Sequence, residues 1–198
     1  MMLVELTTVP TVALPVAEFA SHLHLGTGFA NDGAQNPVLE IYLRAAMAAI
    51  EARIGKALMT RNFAWQLTAW RDGCVQGLPV APVQTILALK MTDLAGVVMV
   101  IPASQYYLEK DSQQPRLRSV GASLPAIPAG GVVDVEFSAG FGPGWSDVPV
   151  DLAQAVYLLA AHYYENRRSE GSRKDLMPFG VMALIENHRA VRLLGGRA

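Results

Sequence analysis

Val132-Val133-Asp134-Val135-Glu136-Phe137, then Gly140-Phe141-Gly142-Pro143-Gly144, then Pro149 and the run from Leu152 to Tyr164 decide the fold, because the hydrophobic period changes within this stretch. Apolar and acidic residues alternate over 132–137, the pattern of a strand with one buried face. The glycines suit a tight strand-to-helix turn, since residues without a Cβ accept positive φ. Pro149 opens a helix, with Asp151 in the first turn where a carboxylate meets the helix dipole favourably. Leu152, Val156, Leu159 and Tyr163 lie along one face of that helix, and Ala153, Tyr157, Ala160 and Tyr164 along another. A helix apolar on so many sides is expected inside a bundle or between subunits.

Upstream, the strand character extends back to about residue 59. Phe63-Ala64-Trp65-Gln66-Leu67 alternates, and 85–91, 97–101 and 106–109 are weaker strand candidates. Pro79, Pro82, Pro102, Pro115, Pro125 and Pro128 interrupt this region too often for helices but not for short strands with turns.

Both ends of the chain read as helix. Asn36-Pro37 is a start signal, and Leu39, Leu43, Met47, Ile50 and Ile54 then step by three and four along one buried face up to Gly55. Glu40 and Arg44 lie off that stripe at the favourable i, i+4 spacing. A shorter helical segment opens at Pro15 and runs to Leu25, before the turn signal Gly26-Thr27-Gly28. After the polar run 166–175, Pro178 opens a last helix carrying Val181, Leu184, Ile185 and His188, followed by a basic tail. The expected fold class is α+β: a helical bundle from residues 1–58 and 146–198, with a small β module, residues 59–145, inserted.

The chain has 198 residues, of which 17% are charged and 52% apolar. So dry a composition implies either a large core or surfaces that become buried on assembly. The net charge is −1, without the basic surplus of an autonomous nucleic-acid binder. Its distribution is uneven. Up to Leu43 there are four acids and no base, whereas from Glu165 onward seven bases face four acids. Poles of opposite sign are able to attract between copies as well as within one. Cys74 stands alone, so no disulfide framework or thiolate metal cluster is expected. No signal-peptide pattern opens the sequence, and the uncharged helical run 152–164 falls short of the ~20 residues that span a bilayer. A chain made in a reducing cytoplasm, with no membrane partner, is the expectation.

Candidate chemistry is sparse. His22 and His24 are two apart and diverge on a helix, so they cannot share a metal. His162 and Glu165 have same-face spacing, but no second such pair completes a ligand set. The Gly140–Gly144 turn sits where a phosphate loop would, yet lacks the third glycine of a dinucleotide site and the Lys-Ser/Thr of a Walker loop; Asp147 would also repel a phosphate. Trp65, Trp70 and Trp145 lack the interleaved bases of a single-strand platform and read as core or interface anchors. No catalytic residue, cofactor site or metal site is expected.

Four stretches taken in order resemble the phage head–tail connector (adaptor) family, which also occurs in gene transfer agents. They are residues 14–23 (LPVAEFASHL), residues 43–58 from Leu43-Arg44-Ala45-Ala46 to Gly55-Lys56-Ala57-Leu58, residues 135–167 from Val135-Glu136-Phe137 to His162-Tyr163-Tyr164-Glu165-Asn166-Arg167, and residues 178–189 from Pro178-Phe179-Gly180-Val181 to His188-Arg189. The resemblance implies a structural, non-enzymatic subunit of a homo-oligomeric ring, a dodecamer in most members, in the neck of a phage-like particle. Such a ring docks on the portal protein and receives stopper or tail components on its far side. DNA passes through it without sequence-specific binding. The C-terminal segment of relatives engages the portal, which on this chain implies Arg192, Leu193, Leu194 and Arg197, with Arg189 leading into the segment. Another neck component, such as a head-closure or tail-terminator protein, is the alternative within the structural class, and a small-ligand enzyme using the glycine turn is the alternative outside it.

Overall fold

The computed structural model describes residues 1–23, 35–167 and 177–189. The protein is α+β and divides into two compact units, one of Met1–Thr8 with Met59–Phe141, the other of Val9–Leu58 with Gly142–Ala198.

The first unit is built of strands β1 (Met2–Glu5), β2 (Arg61–Leu67), β3 (Val75–Gly77), β4 (Val83–Thr92), β5 (Val98–Val100), β6 (Tyr106–Glu109), β7 (Arg116–Ser119) and β8 (Val132–Ala139). They form a five-stranded sheet in the order β1-β2-β8-β4-β5 and a three-stranded sheet in the order β3-β7-β6. Every pairing is antiparallel. The alternation of 132–137 places β8 at the centre of the larger sheet. Val133, Val135 and Phe137 are fully buried, and Phe137 stacks on Phe63 of β2 with ring centres 5.6 Å apart. The intervening acids point the other way and are matched: Asp134 accepts from Gln66 at 3.1 Å, and Glu136 pairs with Lys90 at 2.6 Å. Two register shifts in the β4–β8 pairing mark bulges. In the smaller sheet β7 is central, with Leu117 fully buried and Arg118 paired to Glu109.

Three strands differ from the periodicity reading, which marks none at β1, β3 or β7. β1 is exposed throughout, so no alternation betrays it, while β3 and β7 each bury a single residue, Gln76 and Leu117.

The second unit holds α1 (Val16–His22), α2 (Asn36–Ile54), α3 (Val150–Glu165) and α4 (Phe179–Ile185), the last running into a 3-10 turn, Glu186–His188. α2 packs against α1 and α3, and α3 against α4. The stripe Leu39, Leu43, Met47, Ile50, Ile54 is buried as its spacing predicts, and Gly55 stops the helix with φ +71°, its N–H donating to the Glu51 carbonyl at 2.8 Å. α3 buries Leu152, Ala155, Val156, Leu159 and Ala160. α1 ends at His22; the sequence reading that carries it on to Leu25 lies outside the described residues.

Candidate interface surfaces

α3 begins where α4 ends. His188 Nε2 lies 2.5 Å from Asp151 Oδ2, and Asp151 Oδ1 accepts the Leu152 N–H at 2.9 Å. Burial works against the ionised carboxyl. The hydrogen bonds from His188 and the Leu152 amide outweigh it and hold Asp151 below its ordinary value. This contact pins the 3-10 turn that leads into residues 190–198. Arg189 follows directly, and its Nη1 donates to both carboxylate oxygens of Glu186 at 2.9 and 3.0 Å. Of the residues that the sequence nominates for partner contact, Arg189 is therefore exposed and engaged on its own turn. Arg192, Leu193, Leu194 and Arg197 lie outside the described residues.

Aromatic contacts organise the rest of the helical unit. Tyr157 of α3 is flanked by Phe19, His22 and Trp145 at ring-centre distances of 6.2, 5.6 and 5.6 Å. Burial pushes its hydroxyl pKa up, a shift reduced by a hydrogen bond with Trp145 and reinforced by the Glu18 charge. Tyr164 meets Tyr42 edge-on at 5.8 Å, while the Arg167 guanidinium lies 4.4 Å over its ring.

The histidines, tryptophans and glycine turn that could carry chemistry have structural neighbours. His22 stacks on Tyr157, and His162 Nδ1 lies 3.1 Å from the Asn166 amide nitrogen. His162 and Glu165 do share a cleft of about 380 Å³ with His22, Pro178 and Val181. Among the described residues, no three His, Cys, Asp or Glu side chains come together as a metal site would require. The glycine turn is closed by its own acid, since Asp147 Oδ2 accepts the Gly144 N–H at 2.9 Å. An amide so occupied does not cradle a phosphate. The glycines themselves are dictated by space. A Cβ on Gly140, whose φ is +139°, would run into the Met59–Thr60 backbone, and one on Gly142 into the Asp147 side chain. Trp65 is buried in the β unit, and Trp70 Nε1 donates to the Pro125 carbonyl at 2.8 Å. No helix among the described residues is long and apolar enough to cross a membrane.

Exposed apolar surface is concentrated at the two edges of the five-stranded sheet. All residues of β1 are exposed, as are all of β5, with Leu94 and Val97 of the adjoining turn. Sequence reasoning marks 97–101 as a strand but cannot tell that its apolar side chains stay in solvent, because an apolar run reads the same at an edge as in a core.

No protein-family model matches the sequence, and no curated protein does. Solved structures match closely. A chain in the neck of an empty gene transfer agent (GTA) particle, computed with C6 symmetry, is 57% identical with a TM-score of 0.90. A chain of the virion of a native GTA particle is 57% identical with a TM-score of 0.88, and one in the neck of a native GTA particle, computed with C12 symmetry, is 53% identical with a TM-score of 0.84. Each match covers 100% of both chains. The protein is thus structural and not an enzyme. It belongs to the head–tail connector proteins of phage-like particles, the neck components of gene transfer agents.

Proposed function

We propose that this chain is the adaptor subunit of a GTA neck, forming a homo-oligomeric ring between the portal protein and the stopper or tail components. The observation that carries this reading is the 53–57% identity, over the whole length of both chains, to neck chains of particles computed with C6 and C12 symmetry. Those symmetries favour a ring, and twelve copies suit both of them. The helices from the two ends of the chain then act as one bundle with the β module inserted. DNA passes through the ring without base recognition, as befits a net charge of −1. The basic residues Arg189, Arg192 and Arg197, with Leu193 and Leu194, engage the portal.

Deleting the gene and imaging the resulting particles tests the assignment. Heads that retain the portal but lack tails are the expected product. Normally tailed particles, or a loss confined to the tail tip, would remove the adaptor role. A density map that seats the chain on the tail side, away from the portal, would favour a head-closure or tail-terminator protein.

A further inference from the structure

The outer strands of the five-stranded sheet are short, open and apolar apart from Glu5 at the end of β1, which lies 3.5 Å from Arg61 of β2. Val98, Met99 and Val100 of β5 are 56, 54 and 62% exposed, and Met2, Leu3 and Val4 of β1 are 56, 42 and 41% exposed. An uncovered apolar edge is a template for another strand, which monomeric proteins avoid by placing lysine, proline or a covering segment there. Neither strand carries a lysine or a proline, and residues 94–108 contain no charged residue at all.

The topology adds a direction. Five strands in an all-antiparallel order leave the two edge strands, β1 and β5, running the same way. We propose that β5 of one copy pairs in parallel with β1 of the next, so that the sheet continues head to tail from subunit to subunit. The occupant of each edge is thus a second copy of this chain. The inference rests on the ring reading above and names the contact that builds the ring. A ring repeats one heterologous contact between two different patches. Two edges of like direction at opposite ends of one sheet are such patches, and their backbone groups and apolar side chains complement each other without like-charge repulsion. Pairing β5 with β5 across a twofold axis would be antiparallel and would end at two copies.

Engineered cysteines test this in necks purified from particles that carry the chain. In a Cys74→Ser background, Leu3→Cys is combined in turn with Val98→Cys, Met99→Cys or Val100→Cys and oxidised. Paired strands lie about 4.8 Å apart, within reach of a disulfide. The expected result is a ladder of cross-linked species beyond the dimer from at least one pair, and none from any single cysteine. A dimer from Met99→Cys alone would replace the head-to-tail contact with a twofold one and overturn the proposal. Necks that hold several copies but give no cross-link would also overturn it while leaving the ring intact. Necks that hold a single copy would end the ring reading itself. As a second measurement, Val98→Lys with Val100→Lys should leave the melting curve of the isolated chain unchanged and cut incorporation into necks at least tenfold; undiminished incorporation would count against the edge contact.

Discussion

At the residue scale, Asp151 links the start of α3 to the end of α4 through His188, 2.5 Å away. Its pKa is lowered from 3.8. A carboxyl with a depressed folded-state pKa contributes stability that is fully present above its unfolded value and is lost as the pH falls through the folded one. The window therefore lies below about pH 4. Asp151→Asn should be less stable than the parent at pH 6, by about 1 kcal/mol or less because the pair is partly exposed. The difference should be smaller at about pH 3, inside the window in which the parent carboxyl takes up its proton. Urea melts at the two pH values measure it, and a gap of equal size at both would assign the effect to packing instead. Asp147 shows how single residues restrict chemistry. By accepting the Gly144 N–H it turns a loop that resembles an anion cradle into a self-satisfied turn. The presence of that acid was readable in the sequence; the bond it makes was not.

At the element scale, α2 separates burial from mere hydrophobicity. Leu43 is 0% exposed and Ile41, two residues earlier on the same helix, is 64% exposed. Leu43→Ala should cost about 2–5 kcal/mol through lost burial and a cavity. Ile41→Ala should stay within about 0.5 kcal/mol, as exposed sites do. Denaturant unfolding of both variants checks the contrast, and a similar loss from the two would mean that the stripe is wrongly phased. The same periodicity makes α2 and α3 legible from sequence, because each buries a face at helical spacing over many residues. β2 and β8 are legible because their alternation matches one buried face. β7 is not, because in Arg116-Leu117-Arg118-Ser119 a lone buried leucine gives no repeat to detect. The exposed edges β1 and β5 mark the limit of such reading, since only pairing partners reveal which strands stand at the end of a sheet.

At the scale of the whole molecule, charge is polarised along the sequence, acidic up to Leu43 and basic beyond Glu165. If the acidic region of one copy lies near the basic region of its neighbour or of the portal, then Arg189→Glu with Arg192→Glu should weaken assembly, and more at low salt than at high. Part of the loss at Arg189 is local, because the substitution also breaks its pair with Glu186. Glu186→Gln separates the two contributions, since it removes that pair and leaves the arginine. Neck assembly measured across a salt series decides the matter, and a loss that does not vary with salt would dismiss long-range attraction. The family resemblance nominates Arg189 as the residue leading into the C-terminal segment; the geometry adds that its charge is already answered on its own turn.

The placement of β8 governs the order in which a nascent chain is able to fold. β8 lies between β2 and β4 although it is the last strand made among the described residues, and β1 pairs with a strand about sixty residues downstream. As the chain leaves the ribosome, the β1–β2 and β4–β5 pairs stand apart until residue 139 has emerged. α2 likewise has to wait for α3 to cover its leucines. Neither unit closes before β8 has emerged, so a premature stop upstream of β8 yields no finished half, and the unfinished chain presents bare strand edges to its neighbours on the polysome.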